Sequence, residues 1–510
     1  MNAPLPDPST PGPHAAGAPL GALFEAVLDT EPHLPSLVQD GDVLTYGGWW
    51  RESAAAASLL TERGVRPSDI VTLLLPSGRA FAVWYLAVLR LGAVVSAVNP
   101  RLGPTEVAHI LGRSRPVLTV TDTPGRVPAG VVVDVRESLP RDTPSLAGAF
   151  TAGTGDPAVI VWTTGTTGLP KGAWFDHGAL RFIGGNLGPL SAPYDRKLMP
   201  VPFAHSGYVT RVYEQVAHRS ALVLTPPVWS AEHMLEVLER ERVTLGQGVP
   251  TQWEKLVMLD ELDKADLSSL RLIATGASRV PPALVTRLRE RIGCQVVVRY
   301  ASTEVPLAFG TSVDDPAEVV AATVGRPLGG AEVQIRSPLG EALPAGAVGR
   351  VHLRSRAAMR GYWDDPERTA ETIGPDGWLA SSDLGSLDAE GNLTIVGRTD
   401  DAYLRGGYNV HPSEVEAALA AHPEVARVAV VGTPAPVIGE VGVAFVVLRK
   451  PEAVTAEDLR SWCRDRIADY KVPDEVVFVG DLPVNATFKV DVTRLREEAA
   501  RIVSGVPRRT

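Results

Sequence analysis

Between residues 163 and 172 the chain reads Thr163-Thr164-Gly165-Thr166-Thr167-Gly168-Leu169-Pro170-Lys171-Gly172. Four hydroxyls, three glycines and one lysine follow directly on an apolar run at 158–162. Backbone amides and hydroxyls in such a loop can surround a polyphosphate, and the lysine supplies a cation. The spacing from Gly165 or Gly168 to Lys171 is not that of a Walker A loop. A polar surface turn is the plain alternative for any Gly/Thr run. The terminal lysine and the strand just before the loop favour phosphate.

Further segments of the same kind follow in order. They are Pro202-Phe203-Ala204-His205-Ser206-Gly207-Tyr208, Gly276-Ala277-Ser278 and Arg299-Tyr300-Ala301-Ser302-Thr303-Glu304. Beyond them come Ser381-Ser382-Asp383-Leu384-Gly385, then Arg398-Thr399-Asp400-Asp401, then Gly406-Gly407-Tyr408-Asn409-Val410-His411-Pro412-Ser413-Glu414, and last Lys489 in Asn485-Ala486-Thr487-Phe488-Lys489. From about residue 20 to 495 the chain resembles the adenylate-forming superfamily of acyl- and aryl-CoA synthetases, peptide-synthetase adenylation domains and luciferases. The likeness is greatest to stand-alone acyl- or aryl-CoA ligases. It implies a reaction of ATP and a carboxylate to acyl-adenylate and pyrophosphate, followed by transfer of the acyl group to a thiol.

The resemblance also implies roles. Thr163, Thr164, Gly165, Thr166, Thr167, Gly168 and Lys171 would hold the ATP phosphates, and Glu304 would hold Mg²⁺ against them. Tyr300 would stack on adenine beside Ser302 and Thr303, with Gly276, Ala277 and Ser278 forming the adenine-side turn and Ile395 a further contact. Asp383 would accept from both ribose hydroxyls, seconded by Arg398. Lys489 would neutralise charge developing in adenylation. With Glu304 and Thr164 it makes up the catalytic set, joined by His205 as a pocket wall without an acid–base role. His205, Tyr208, Val209, Gly248 and Ala301 would line the acyl pocket. Asp400 would be the hinge, and Gly406, Gly407 and Tyr408 would face CoA. The implied cofactors are ATP, Mg²⁺ and coenzyme A.

The elements that must position these residues alternate. Short β-rich runs at 70–75, 93–98, 117–120, 158–163, 221–225, 270–274 and 296–298 are separated by amphipathic helices, as in parallel sheets covered by helices. The apolar stretch 80–98 contains Arg90 and Gly92, and reads as a buried helix running into a buried strand. From about residue 320 short strands with Gly/Asp turns predict an antiparallel, barrel-like part, and after Asp400 a small α+β unit follows. The expectation is therefore an α/β fold with a tail at 1–18, a body at 19–399 and a mobile lid at 400–510. The lid would swing between two half-reactions.

Composition sets the limits. The 510 residues carry a net charge of −10, which argues against nucleic acid and anionic membranes as partners. Only two cysteines occur, Cys294 and Cys463, excluding a disulfide framework or thiolate zinc site and fitting the cytoplasm. Cys463, on a stripe with Leu459, Trp462 and Ile467, reads as core. No membrane span is expected.

Five positions depart from the family pattern: Ala301 and Phe488 stand for glycine, Arg350 for glutamate, and Ser381-Ser382 for Thr-Gly. Phe488 adjoins Lys489, so an enzyme weak in adenylation that takes a preformed acyl-adenylate from a separate adenylating enzyme is one alternative. Loading of a carrier protein is another. A degenerate adenylate-binding scaffold is opposed by the intact Lys171, Glu304, Asp383, Arg398 and Lys489. The pocket fits an aromatic, alicyclic or medium-chain acid equally well.

Overall fold

The computed structural model describes residues 18–128, 130–135, 150–163, 169–226, 228–278, 280–399, 401–436, 438–485 and 489–504. The expected tail at 1–18 falls almost wholly outside these. Two compact units emerge. One takes in the described residues up to Val333 together with Leu353–Leu379, and the other takes in Gln334–His352 and the described residues from Ala380 onward.

The first unit is built on two large sheets. The seven-stranded sheet runs, edge to edge, through Gly361–Tyr362, Lys171–Asp176, Pro157–Thr163, Val94–Val98, Ile70–Leu74, Leu118–Thr121 and Val132–Asp134. From Pro157–Thr163 onward neighbours are parallel; the first three strands are antiparallel to one another. The β-branched runs that suggested buried parallel strands are buried: every residue of Val94–Val98 is. The helix Arg79–Arg90 precedes that strand, so the stretch 80–98 is a buried helix and strand. Arg90 is accommodated by laying its guanidinium 3.8 Å over the Trp50 ring.

The nine-stranded sheet has a parallel centre formed by Gln295–Tyr300, Leu272–Gly276, Leu245–Gly248, Arg196–Met199, Ala221–Leu224 and Pro35–Gln39. Its register fixes which side chains share a face. Gln247 pairs Ala274, Ala274 pairs Val297, and Gly276 pairs Arg299. Gln247, Ala274, Val297 and Arg299 therefore point to one side, while Val296 and Val298 point into the core built around Leu284, Leu288 and Trp253.

In the second unit the barrel-like expectation is corrected. Glu332–Arg336, Gly349–Arg354, Leu379–Leu387 and Leu393–Arg398 form an open four-stranded sheet whose outer strands do not pair with each other, and four strands are too few to close. The other sheet orders Tyr408–Val410, Tyr403–Arg405, Gly439–Leu448 and Val425–Ala435, with Glu475–Phe478 parallel to Gly439–Leu448. The helix Ala456–Arg464 is capped by Thr455 and Asp458 in the expected box, and Cys463 is fully buried.

Candidate functional site

In the first unit the candidate residues collect at the carboxyl ends of parallel strands, where open α/β sheets place their ligands. Thr163 ends one strand, Gly248 a second, Gly276 a third and Tyr300 a fourth, and His205 lies just beyond Arg196–Met199. Gly248, Gly276 and Tyr300 end neighbouring parallel strands of one sheet, so chain direction alone brings these three together from far apart in sequence.

Thr163 and Lys171 face each other across an antiparallel pair, so both ends of the Gly/Thr loop are fixed by hydrogen-bonded strands. Thr164, Gly165, Thr166, Thr167 and Gly168 lie outside the described residues. Lys171 has no carboxylate partner among the described residues; its ammonium sits 5.5 Å from the Tyr362 ring. Tyr362 in turn donates its hydroxyl to Glu304 Oε1 at 2.9 Å, and the Glu304 carbonyl accepts from Met359 N–H at 2.8 Å. Burial, followed by the Glu304 charge, raises the Tyr362 phenol well above its ordinary range, so it stays a donor. Strand pairing of Tyr362 with Ala173 places this phenol beside the lysine strand.

Tyr362 is the residue that sequence reasoning missed. Gly361-Tyr362-Trp363 carries no recognisable motif, and nothing linear connects it to Glu304. Arg360 supports it from behind, its Nε bonding Asp176 Oδ2 at 2.6 Å, and Asp176 also caps the helix His177–Gly184.

On the adenine side, a Cβ on Gly276 would meet the Arg299 carbonyl oxygen at 2.0 Å, so only glycine permits this strand pair. Ala277 adopts φ +65°, an uncommon left-handed conformation that turns the chain out of the sheet. Ser278 is exposed at this turn. Ser302 closes the following turn by accepting from Val305 N–H at 3.1 Å, with Thr303 and Glu304 half-buried and Ala301 exposed. Tyr300 meets Phe309 edge-on at 5.9 Å.

His205 caps the short helix Ser206–Val209, its Nδ1 accepting from Gly207 N–H at 3.1 Å. That bond fixes the ring and assigns the neutral form's proton to Nε2. Tyr208 stacks on Phe203 at 3.6 Å, and burial raises its phenol strongly. Val209 is fully buried, and its carbonyl accepts from Tyr85 at 2.5 Å. Gly248 is held by the indole of Trp253, which a Cβ would meet at 2.6 Å. A small cavity beside these residues is bordered by Gly207, Tyr208, Arg211, Gln247 and Met199.

The second unit gathers the remaining candidates. Asp383 and Arg398 are partners across an antiparallel pair, with Arg398 Nη1 at 3.7 Å from Asp383 Oδ1, and Ile395 pairs Gly385 on the same two strands. Lys489 lies close enough to both for their charges to act on it. Burial lowers its ammonium below an ordinary lysine, Arg398 lowers it further and Asp383 opposes them. Lys489 is fixed through backbone bonds to Asn485, whose N–H donates to the Lys489 carbonyl at 2.8 Å. Phe488 and Asp400 lie outside the described residues. Arg350 donates from Nε to the Ser381 carbonyl at 2.6 Å, so the exchanged residue props the strand that carries Asp383.

Gly406 and Gly407 link Tyr403–Arg405 to Tyr408–Val410 with φ +56° and +89°, the two left-handed residues of a tight hairpin. Tyr408 is 57% exposed and stacks on Tyr470 at 4.4 Å. Among the described residues no three His, Cys, Asp or Glu side chains cluster as a metal site. No described helix is long and apolar enough to cross a membrane.

Comparison with known proteins finds relatives over most of the chain. Residues 24–363 match the model for AMP-binding enzymes, and residues 414–489 match that for the AMP-binding enzyme C-terminal domain. A feruloyl-CoA synthase from an Amycolatopsis species is 34% identical over 477 residues, covering 90% of this chain and 94% of that protein. A mitochondrial medium-chain acyl-CoA ligase of Rattus norvegicus is 28% identical over 541 residues, covering 95% of this chain and 88% of that protein. The crystal structure of ATP-bound MatB from Rhodopseudomonas palustris superposes with a TM-score of 0.85 at 26% identity, over 95% of this chain and 100% of that one.

Proposed function

Because the chain belongs to the AMP-binding enzyme family, we infer that it is an AMP-forming acid–thiol ligase, making an acyl-CoA thioester through an acyl-adenylate. The observation that carries this is the near full-length likeness to relatives named for acyl-CoA formation. These relatives favour CoA over a carrier protein as acceptor, and favour both half-reactions running here over transfer of an imported adenylate. The two unpaired cysteines fit a reducing cytoplasm.

We propose the following division of labour. The loop from Thr163 to Lys171 takes the phosphates of ATP. Tyr362 holds one oxygen of Glu304, and Oε2, which has no protein partner among the described residues, suits a hard cation such as Mg²⁺. When bound, Mg²⁺ would supply charge neutralisation on the phosphates. Asp383 and Arg398 hold the ribose, while Gly276, Ala277, Ser278, Tyr300 and Ile395 surround adenine. A carboxylate oxygen of the acid attacks the α-phosphorus and pyrophosphate departs. The Lys489 ammonium meets the negative charge that builds up between them. In the second step the CoA thiolate attacks the acyl carbonyl and AMP leaves. Gly406, Gly407 and Tyr408 lie on the hairpin assigned to CoA, and a hinge at Asp400, separating a body at 19–399 from a lid at 400–510, would exchange the two arrangements.

The test is direct. Purified protein given ATP, Mg²⁺, CoA and a panel of carboxylic acids should release pyrophosphate and form a CoA thioester in equal amounts. Pyrophosphate without thioester, or neither product with any acid, would overturn the reading.

A further inference from the structure

Two arginines on elements that carry proposed acyl-pocket residues form no ion pair among the described residues, Arg211 and Arg299. Arg211 follows the short helix that starts from His205, and it borders the small cavity with Tyr208 and Gln247. Its Nε is buried without a hydrogen-bond partner, and no side-chain ion pair is made by it among the described residues. Arg299 projects from the same sheet face as Gln247 and Ala274. Its Nη1 donates to the carbonyls of Thr311 at 2.7 Å and Val298 at 3.2 Å, while Nε and Nη2 are buried with no partner among the described residues. The two guanidiniums are near enough for the charge of Arg211 to act on Arg299, which burial holds below an ordinary arginine, at about 10.

The carboxylates that act on this pair also hold other partners, Glu214 through its Oε1. Glu214 accepts from Lys197 and from Ser191 Oγ. Asp315 pairs with Arg326 and accepts from Ser312 N–H at 2.7 Å. Lys197 and Arg326 thus hold the carboxylates whose charge reaches Arg211 and Arg299. Arg90, also short of hydrogen bonds, is no parallel, because Trp50 and Phe150 lie over its guanidinium. Both residues are partly buried, and like charges with buried nitrogens left without partners are unfavourable unless something else completes them. The planar fork of arginine fits a carboxylate in two-pronged fashion.

We propose that the acid this enzyme activates carries a second carboxylate, remote from the reacting one and received by Arg211 and Arg299. This rests on the ligase reading and narrows it from acids in general to dicarboxylic acids. Gln247 would add a neutral donor on the same face, and Tyr208 would wall the chain between the two carboxylates.

The experiment compares matched pairs: succinate, glutarate, adipate and terephthalate against their monomethyl esters. Thioester formation is followed in wild type, Arg211→Gln, Arg299→Gln and Arg211→Lys. The best diacid should exceed its monoester by about ten- to a hundredfold in kcat/KM, the worth of a charge-assisted contact. Each Gln variant should collapse that ratio, and Arg211→Lys should restore part of it. Monoesters accepted as well as diacids throughout, or a ratio untouched by both Gln variants, would overturn the proposal. Binding is read separately by calorimetric titration of the diacids in the presence of a non-hydrolysable ATP analogue. Binding that Arg211→Gln abolishes supports the second-carboxylate site even if turnover, and with it the ligase reading, fails. Absence of diacid binding counts against the site even if monocarboxylic acids are turned over.

Discussion

Replacing Tyr362 by phenylalanine isolates a single contact. The substitution deletes the hydroxyl that donates to Glu304 at 2.9 Å, yet keeps the ring beside Lys171 and the backbone pairing with Ala173. A hydrogen bond to a charged group contributes about 1.5–3 kcal/mol. Glu304 is half-buried, so water can take over part of the phenol's role, and the lower end applies: about 1.5 kcal/mol, or roughly tenfold. The loss should appear where Glu304 acts. Pyrophosphate release at saturating acid and ATP should need about tenfold more Mg²⁺ for half its maximal rate. Thioester formation from synthetic acyl-adenylate should change by less than about twofold. Because no volume is removed from the core, the melting temperature should stay within a few degrees. An unchanged Mg²⁺ requirement, in a variant that folds, would refute the idea that Tyr362 aims this carboxylate at the metal.

Further outcomes follow from the same geometry. Lys489→Ala should slow pyrophosphate release by about a hundredfold or more while sparing transfer from synthetic acyl-adenylate to CoA; equal loss of both steps would count against its assigned role. Adenylation needs the Lys489 ammonium, whose pKa is lowered by burial and Arg398, so kcat/KM for pyrophosphate release should fall on the alkaline side before an ordinary lysine would titrate. Asp383→Asn removes the charge that favours the ammonium and should move that alkaline limb to still lower pH, as read from full pH profiles. Gly407→Ala meets no atom within 4 Å but must adopt φ +89°, so it should cost about 1 kcal/mol and lower the melting temperature by a few degrees through conformation alone. Asp400→Pro should arrest one half-reaction and spare the other, measured by the same two assays.

Much of the architecture was legible in sequence because its signals are local. The valine-rich runs around residues 94–98 and 296–298 are buried strands, and the Thr455/Asp458 spacing is a working cap. Strand closure is not local: the short strands between 332 and 398 alternate as barrel strands would, but their pairing partners end the sheet at four. Gly406 and Gly407 stood out as a pair, though their reason is turn handedness in a hairpin. Tyr362 was invisible because its meaning depends on a partner 58 positions away and on a strand register that sequence does not state.

Charge pairing is the property sequence conceals most completely, and it separates structural cations from those that meet substrate. Among the described residues, Arg271 is locked to Asp195 at 2.5 Å, Arg405 to Asp474 at 2.7 Å, and Lys197 to Glu214. Each is satisfied by the protein and needs nothing further. Among the described residues, Lys171 has an aromatic ring and no carboxylate near its ammonium, and Lys489 forms no ion pair and feels Arg398 against Asp383. An unpaired cation in a folded chain raises the free energy of the empty protein, and a bound anion recovers it, so its affinity is built in before any substrate arrives. Arg211 and Arg299 share this condition with the two lysines assigned to phosphate and to the adenylation transition state. By the logic that places anionic groups at Lys171 and Lys489, an anion belongs at the arginine pair as well, and a carboxylate of the acid supplies it.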